Sequence, residues 1–376
     1  MLWDGEARTN ASITVIPGAL SQVVVAPNPT DIGMGMKQQF VAAGADRFGN
    51  RISGLQFIWR VENGGGTINS KGLFTAGAKP ATYNKTVKAT SVQGNITISQ
   101  TARVTVEPDR IAFTSMRDNT LRTIYIINAD GSDVRQLTTA DSGFTGASWS
   151  PDGRRIVYNS CPDHSSICNI FAVNDDGSFP TFLSGNHDLW PSWSPDGSKI
   201  AFASPRDSSD RDIYVMDVDG GDITRVFDTE GTDFVPSWSP DGKQIIFASH
   251  RNRNTDVYVM ELDGGKQTKI TGALSSDRAP AWSPDGTKIA YVSFREDLDP
   301  EIYLMNSDGS GIRRLTRSSG QDNNPSWSPD GRMLVFESER DEDTLEIYTM
   351  NADDSNLQRL TQNSFLDFFL AGHPEN

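Results

Sequence analysis

The stretch Trp193-Ser-Pro-Asp-Gly197 recurs along this chain at almost constant spacing, and it decides the fold. Ser-Pro-Asp-Gly occurs five times, each time directly after a tryptophan, and successive copies are 44, 45, 44 and 45 residues apart. The copies begin at Ser150, Ser194, Ser239, Ser283 and Ser328. A repeat of this length and regularity indicates an architecture built from one repeated supersecondary unit.

Each repeat carries the pattern of four short strands. In the third copy, residues 236–238, 244–249, 256–261 and 267–271 are rich in apolar, β-branched and aromatic side chains. Asp-Gly turns and one longer loop separate these segments, which is typical of antiparallel strands. Four such strands in about 45 residues predict one blade of a β-propeller.

The two ends of the repeat region set the number of blades. A degenerate copy over 107–138 adds a sixth unit before the first full motif. Residues 361–376 align without a gap on 316–331, so that His373-Pro-Glu-Asn376 stands in the place of Ser-Pro-Asp-Gly. We therefore expect residues around 367–373 to supply the innermost strand of the first blade. The prediction is a six-bladed β-propeller closed by the C-terminal strand, because closure removes exposed strand edges.

Residues 1–106 have a different character. Short alternating apolar segments and frequent turn signals surround a central tryptophan, Trp59, which predicts a β-sandwich. Asp46-Arg-Phe-Gly-Asn50, Gly64-Gly-Gly-Thr-Ile68 and Gly72-Leu-Phe-Thr-Ala-Gly77 resemble phrases of bacterial immunoglobulin-like domains. The resemblance implies a domain of the kind that occurs in tandem on surface and secreted proteins.

The repeat region resembles the TolB-like, WD-repeat-like propeller family. The resemblance rests on the Trp-Ser-Pro-Asp-Gly turn, an apolar strand ending in Ser, a strand such as Asp212-Ile-Tyr-Val-Met-Asp217, and a closing Arg-Leu-Thr. It covers about residues 107–376 and implies a β-propeller there. Together with the N-terminal resemblance, it predicts an all-β chain in which an N-terminal immunoglobulin-like β-sandwich precedes a six-bladed β-propeller. It implies no function, since propellers of this family include binding scaffolds and enzyme domains.

These patterns predict three segments. Residues 19–107 form the immunoglobulin-like domain and residues 108–376 form the propeller. In tandem arrays the phrase Thr14-Val-Ile-Pro-Gly18 usually ends one domain, so 1–18 is expected to be the tail of a preceding, absent domain. The chain is then a fragment of a longer multidomain protein, and we expect it to be monomeric.

The same interpretation bears on location. The N-terminus lacks the basic start and apolar region of a secretory signal. The sequence contains no apolar run of 18 residues, so it predicts no membrane-spanning helix. A fragment would have lost such a signal, whereas the immunoglobulin-like resemblance implies an extracellular, cell-surface or periplasmic protein. A cytoplasmic two-domain protein is the less favoured alternative.

Charge is divided unevenly between the two parts of the chain. Residues 1–107 carry 10 Lys+Arg and 6 Asp+Glu, whereas residues 108–376 carry 24 and 43 and so have a net charge of −19. An acidic propeller argues against nucleic acid as a partner, because phosphates require basic patches. Cations, cationic peptides or neutral sugars suit this charge better, although turn chemistry explains part of the Asp excess.

The only two cysteines, Cys161 and Cys168, lie seven residues apart in one loop. This spacing suits a local disulfide in an oxidising compartment. A metal site with His164 as a third ligand is the alternative. Zinc motifs usually show tighter cysteine spacing and a second pair of ligands, so the disulfide is favoured.

Two sets of residues recur near one face of the predicted disc. An Asp ring lies five positions before four of the blade tryptophans, at Asp188, Asp233, Asp277 and Asp322, and has its fifth member, Asp367, at the equivalent position of the closing strand. An Arg ring lies two positions after the serine that ends the second strand of a blade: Arg117, Arg206, Arg251, Arg295 and Arg340. The Asp ring predicts either a cation site at the pore mouth, with calcium as the ion, or one Asp–Arg pair per blade.

The blade of Trp149 favours pairing. It has Phe144 in the Asp position and Pro162 in the Arg position, so both partners are lost together. We expect partly exposed ion pairs that contribute about 0–1 kcal/mol each. Pairing in the first blade requires Asp367 to meet Arg117, which is consistent with the predicted closure.

The loops of the predicted blades indicate where a ligand binds. Asp-Gly turns repeat on one face of the disc, whereas the loops on the other face, here called the variable face, differ in length and charge. We hypothesise that Phe144, His164, His187 and Trp190 line a shallow pocket there, which holds a sugar ring or a peptide side chain. The alternative is that Phe144 and Trp190 only pack over the blade edges.

Signals for catalysis are few. The sequence contains no Gly-x-Ser-x-Gly elbow, no His-Glu-x-x-His and no phosphate loop, and it has only four histidines. The favoured function is an extracytoplasmic binding or scaffold protein whose propeller recognises a protein, peptide or glycan, with no required cofactor. The alternative is a hydrolase or lyase acting on a glycan or peptide, with calcium as a cofactor.

Overall fold

A computed structural model of the chain describes fourteen segments: 17–35, 37–77, 79–117, 122–138, 142–162, 167–207, 209–227, 231–251, 253–262, 265–272, 275–296, 299–341, 344–363 and 365–372. The chain divides into two compact units, Met1–Glu107 and Pro108–Asn376. The prediction of an all-β fold is confirmed, because both units are built from strands. No helix in the segments described is long and apolar enough to cross a membrane.

The N-terminal unit contains ten strands in three sheets. The strands are β1 (Gln22–Ala26), β2 (Thr30–Gly33), β3 (Lys37–Gln39), β4 (Val41–Ala45), β5 (Arg51–Ile52), β6 (Ile58–Val61), β7 (Gly66–Ile68), β8 (Leu73–Ala76), β9 (Ala81–Gln93) and β10 (Ile96–Glu107). The sheet orders are β1-β4-β5, β2-β10-β9-β6 and β3-β8-β7. Phe40, Phe74, Val87 and Val104 are fully buried at its core, and Trp59 packs against them.

The second unit contains six antiparallel sheets of four strands each. Blade 1 consists of β11 (Arg110–Ser115), β12 (Thr123–Asn128), β13 (Arg135–Gln136) and the last strand, β34 (Asp367–Gly372). Blade 2 consists of β14 (Ser142–Trp149), β15 (Arg155–Pro162), β16 (Asn169–Asn174) and β17 (Thr181–Gly185). Blade 3 consists of β18 (Leu189–Trp193), β19 (Lys199–Ser204), β20 (Asp212–Asp217) and β21 (Thr224–Arg225).

The remaining three blades follow the same order. Blade 4 consists of β22 (Thr232–Trp238), β23 (Gln244–Arg251), β24 (Asn254–Glu261) and β25 (Gln267–Lys269). Blade 5 consists of β26 (Asp277–Trp282), β27 (Lys288–Ser293), β28 (Glu301–Asn306) and β29 (Arg313–Arg314). Blade 6 consists of β30 (Asp322–Trp327), β31 (Met333–Ser338), β32 (Glu346–Asn351) and β33 (Gln358–Arg359).

The six blades form a closed ring. The innermost strands β14, β18, β22, β26, β30 and β34 each contact the next, and β34 also contacts β14. In blade 1, β34 pairs antiparallel with β11, so that Asp367 lies opposite Ser115. Residues from the two ends of the unit therefore share one sheet, and the ring has no free inner edge.

The repeated motif is explained by its turn. Ser194 Oγ donates to Asp196 Oδ1 at 2.6 Å and accepts from Lys199 N at 2.9 Å. Gly197 adopts φ +72°, a left-handed conformation that glycine adopts without steric cost. Trp193 is 7% exposed and packs with Ile200 of its own blade and Val157 of blade 2. Turn and packing together give each motif residue a structural role.

Candidate functional site

Each member of the Asp ring forms an ion pair with the Arg-ring residue of its own blade. The pairs are Asp367–Arg117 (2.8 Å), Asp188–Arg206 (2.7 Å), Asp233–Arg251 (3.3 Å), Asp277–Arg295 (3.3 Å) and Asp322–Arg340 (2.8 Å). The Asp side chains are 0–2% exposed and the Arg side chains 13–19% exposed. The carboxylates are therefore more buried than we expected of these pairs, whereas the guanidinium groups are partly exposed as expected.

Each arginine of these pairs also contacts a serine and two aromatic rings. Arg206 Nε donates to Ser204 Oγ at 3.0 Å, and its guanidinium lies 5.0 Å from the ring centre of Phe202 and 5.1 Å from that of Tyr214. The other four arginines repeat this arrangement on a serine and two aromatic rings. Pairing and cation–π contact together fix these side chains.

A second set of ion pairs, which the sequence analysis missed, joins the third and fourth strands of four blades. Its members are Asp212–Arg225, Asp256–Lys269, Glu301–Arg314 and Glu346–Arg359, at 2.6–2.9 Å. A repeating acid at the start of the third strand and a repeating base in the fourth were the available signal. Burial raises the pKa of Glu301, and hydrogen bonds from Thr316 and Ser318 oppose this shift.

Blade 2 lacks both kinds of pair. Asn169 and Phe182 occupy the positions of the second pair, and Phe182 lies opposite Phe171 where Arg225 lies opposite Tyr214 in blade 3. The rings of Tyr158 and Phe171 are stacked with centres 5.9 Å apart, and Phe182 meets Phe171 edge-on at 5.7 Å. The ring pair on the second and third strands recurs in the other blades, whereas the third ring, Phe182, is specific to blade 2 and takes the place of a charged residue.

The two cysteines of blade 2 form a disulfide. Cys161 Sγ and Cys168 Sγ are 2.02 Å apart, and the bond links β15 to the residue just before β16. His164, the third ligand of the alternative metal site, lies outside the described residues. No three acidic, histidine or cysteine side chains within the described residues form a metal-binding group. The calcium alternative stays a prediction.

A cavity of about 430 Å³ lies among the innermost strands on the variable face. Its lining follows the Asp ring by one or two positions, as in Phe234, Arg278, Asn323 and Phe368, and includes Leu345 from the end of a variable loop. We call it the central cavity. Trp190 and Phe234, of blades 3 and 4, form its aromatic wall, and Phe368 of blade 1 lies across the cavity from Phe234. The polar wall, on blades 5 and 6, consists of Arg278, Gln321, Asn323, Asn324, Glu337 and Glu339.

A bulge in each of five innermost strands directs side chains into this cavity. In β18, Leu189 lies opposite Ala203 and Ser192 opposite Ala201, so two residues face one. One residue of each bulge is left-handed: Gly146, Trp190, Val235, Ala279 and Asn324, with φ between 49° and 85°. This conformation is strained for bulky residues such as Trp190 and Val235.

The aromatic wall includes only one described member of the predicted pocket. Trp190 packs on Phe234 with ring centres 5.8 Å apart and lines the central cavity. His187 has φ 61° and is half-buried, and it is absent from the described lining. The Phe144 side chain and His164 lie outside the described residues. The structure thus groups Trp190 with Phe234 and Phe368 rather than with His187.

The polar wall consists of side chains held by one another. Arg278 Nη2 donates to Asn323 Oδ1 at 2.9 Å, and Asn324 Nδ2 donates to Glu337 Oε1 at 2.9 Å. Burial lowers the pKa of Arg278, and the nearby charge of Glu337 opposes this shift. Glu337 is only 5% exposed. The Arg278 guanidinium and the Glu337 carboxylate are therefore near each other, and each is hydrogen-bonded to one asparagine side chain.

Comparison of the repeats could have found Glu337. The equivalent residues in the second strands of blades 1 to 5 are Thr114, Asn159, Ala203, Ala248 and Val292. An acid in this series breaks the pattern of the repeat. Arg278, Asn323 and Asn324 carry no such signal, because the positions after the Asp ring have no common residue type across the blades.

Comparisons with known proteins agree on the fold. The family model described as the TolB beta propeller domain matches residues 184–278 and 272–367. TolB from Acinetobacter baumannii is 19% identical with a TM-score of 0.63, over 85% of this chain and 83% of that chain. A structure from Agrobacterium tumefaciens, also described as TolB, is 24% identical with a TM-score of 0.57, over 70% of this chain and 91% of that chain.

The same fold occurs beyond TolB. A chain of a nidogen–laminin complex is 10% identical with a TM-score of 0.57, over 70% of this chain and 98% of that chain. No curated protein sequence matched the chain. At these identities the solved structures show that the fold is shared, and they carry no information about the activity of this chain. The repeat and the six sheets show that residues 108–376 form a β-propeller, and its fold is similar to that of TolB, with the family model matching residues 184–367.

Proposed function

We propose that this chain is an extracytoplasmic recognition module whose propeller binds part of a ligand in the central cavity. The observation that supports the proposal most is the division of the cavity into an aromatic wall and a polar wall. Ligand sites are concave and mostly apolar, with a few placed polar groups, and they commonly measure about 300–1,000 Å³. The N-terminal unit is proposed to be an immunoglobulin-like spacer.

The lining of the cavity favours binding over nucleophilic catalysis. Its described members include no serine, cysteine or histidine. Its charged groups are Arg278, Glu337 and Glu339, and the first two are hydrogen-bonded to Asn323 and Asn324. A general base must lie within hydrogen-bond reach of the proton that it abstracts. The described lining has no hydroxyl or thiol nucleophile of serine or cysteine beside such a base. Recognition without turnover is the proposed activity.

The disulfide supports the proposed location. Cys161–Cys168 is a structural bond in a small loop of blade 2. Disulfides of this kind persist in oxidising compartments and are rare in the cytosol. We therefore place the protein in the periplasm, on the cell surface or outside the cell.

The test is a thermal-shift and binding screen of EDTA-treated full-length chain against neutral sugars, cationic peptides, acidic peptides and calcium. A ligand at about 100 times its Kd should stabilise the parent by roughly 2.7 kcal/mol. We expect Trp190→Ala to weaken binding at least tenfold, because it removes the largest ring of the aromatic wall. Phe179→Ala is the control, since Phe179 is 79% exposed outside the cavity.

Two outcomes would contradict the proposal. One is a ligand that binds Trp190→Ala and Glu337→Gln as tightly as it binds the parent, because its site would then lie elsewhere. The other is a screen in which calcium alone stabilises the protein, which would return the Asp ring to consideration as a cation site. Release of a cleaved product by the parent would favour the enzyme alternative.

A further inference from the structure

We propose that the central cavity takes a neutral sugar ring, stacked on Trp190 with its hydroxyl groups bound by the polar wall. This inference rests on the proposed function and names the ligand class of the same site. It depends on which blades carry the two walls, on how their charges are paired, and on how these blades depart from the rest of the repeat.

The order of the blades places the two key residues across the cavity from each other. Trp190 belongs to blade 3, and Asn323, Asn324 and Glu337 belong to blade 6. In a closed ring of six blades, blades 3 and 6 are three steps apart in either direction and so lie opposite each other. A flat ligand can therefore rest one side on the Trp190 ring while its other side meets the polar wall.

The charges of the polar wall suit a neutral hydroxylated ligand. Arg278 and Glu337 are close enough for each to influence the other, and both are hydrogen-bonded to the asparagine pair. Glu339 is the third charged member of the lining, so an anionic ligand would face two carboxylates and a cationic ligand would face the Arg278 guanidinium. A hydroxyl group donates and accepts at once, so sugar hydroxyls can bond to the donors of Arg278 and the acceptors of Glu337 and Asn324.

The aromatic wall suits the apolar face of a sugar. Trp190 occupies the left-handed bulge position that is Gly146, Val235, Ala279 and Asn324 in neighbouring blades. A large ring at φ 52° is unfavourable for the backbone, and such strain concentrates at functional sites. Both Trp190 and Glu337 are therefore exceptions to the repeat, and both line the same cavity. Their joint occurrence points to one ligand.

The test measures tryptophan fluorescence and NMR shifts of the full chain titrated with glucose, galactose, mannose, N-acetylglucosamine and their disaccharides. We expect saturable binding with a Kd on the order of 1 mM for at least one neutral sugar. Galacturonate and acetyl-lysine amide are the charged comparison ligands, and each should bind at least threefold more weakly than that sugar.

Three variants assign the contacts. Trp190→Ala should weaken binding of the sugar at least tenfold, and Trp190→Tyr should restore part of the affinity because stacking needs only a flat ring. Asn324→Ala removes an exposed side chain of the polar wall, so it tests that wall even if a change at Trp190 prevents folding. Phe179→Ala should bind the sugar like the parent.

The outcomes separate this inference from the proposed function. No saturable response to any neutral sugar up to about 50 mM, well above the expected Kd, overturns the sugar. The sugar is also overturned if galacturonate or acetyl-lysine amide binds more tightly. If a peptide or charged ligand then binds in a Trp190-dependent way, the recognition module stands and its ligand class changes. A sugar that binds Trp190→Ala and Asn324→Ala unchanged overturns the cavity for both.

Discussion

At the scale of single residues, the propeller relies on charges that are buried and paired. Asp188 is fully buried and forms an ion pair with Arg206. Ser184 donates a hydrogen bond to Asp188, and Ser204 accepts one from Arg206. A buried pair often contributes little net stability, because desolvation offsets the attraction between its members. Removal of one partner is different, since it leaves the other charge in an apolar environment without compensation.

Arg206→Ala is expected to destabilise the propeller by about 3–5 kcal/mol, because Asp188 would remain buried without its counter-charge. Arg154→Ala removes an exposed arginine of blade 2 and should change stability by less than about 0.5 kcal/mol. Urea unfolding of both variants measures the difference. If Arg206→Ala and Arg154→Ala unfold at the same urea concentration, the pair has no role in stability.

One carboxylate of the N-terminal unit makes stability depend on pH. Asp46 accepts hydrogen bonds from the backbone N of Gly18, from the side chain and backbone of Asn50, and from the backbone N of Phe48. These bonds, with that from Gly18 the largest, hold the pKa of Asp46 well below its usual value. A folded-state pKa below the unfolded one gives stability at neutral pH that is lost in acid.

The advantage of the parent over Asp46→Asn should therefore be constant above the unfolded pKa of about 4 and shrink as pH falls below it. Unfolding of the N-terminal unit in urea at several values from pH 7 to pH 2 measures this advantage. A difference between the two proteins that stays constant down to pH 2 would show that the ionised form of Asp46 is not favoured by folding.

At the scale of elements, blade 2 is stabilised differently from its neighbours. Its outer strand β17 has five residues, whereas the outer strands of the other blades have two or three. Phe182 adds a third ring at this edge and is 57% exposed. Where four of the other blades have a charged pair between the third and fourth strands, blade 2 has the edge-on contact of Phe171 with Phe182, and a disulfide links its second strand to the start of its third.

Loss of that bond should destabilise the propeller by about 2–3 kcal/mol, the chain-entropy estimate for a loop as short as Cys161–Cys168. Chemical denaturation of the parent with and without a reductant measures the effect. The double variant Cys161→Ser/Cys168→Ser is the control and should not respond to the reductant. A reductant that shifts the parent and the double variant equally would act elsewhere.

At the scale of the whole molecule, the ring depends on its last strand. β34 supplies the inner strand of blade 1, pairs Asp367 with Arg117, and contacts the inner strands of blades 2 and 6. Without β34, β11 would become the inner edge of blade 1, with the hydrogen-bonding groups of that edge unpaired. Closure is thus a property of the entire ring rather than of one blade.

Deletion of residues 362–376 should abolish the single cooperative melting transition of the propeller and expose apolar surface that binds the dye ANS, because blade 1 would keep an open edge. Deletion of residues 373–376 alone should leave the melting transition in place, since it spares β34. Calorimetry and dye binding compare the two truncations. A cooperative transition in the longer deletion would show that five complete blades suffice.

The fold could be predicted from the sequence because its signals are local. Ser194, Asp196 and Gly197 define a turn through contacts with near neighbours, and a repeated turn defines a repeated blade. The cavity could not be predicted in the same way. Strand residues alternate between two faces, but the bulge after Leu189 shifts the pairing and changes which side chains face the channel. The sequence analysis predicted Trp190 as a pocket residue. It did not predict Glu337, which lines the same cavity from the opposite blade.

The shared first blade also has a consequence for biosynthesis. Ribosomes add roughly 5–20 residues per second, so β11 waits on the order of 10 to 60 seconds for its inner partner β34 at these rates. During that interval the seam of the ring stays open, and a nascent chain that ends early never closes it. Synthesis of β34 is thereby coupled to loss of the exposed edge that chaperones and proteases recognise. Only a chain that has been synthesised as far as residue 372 can close the ring and bury this edge.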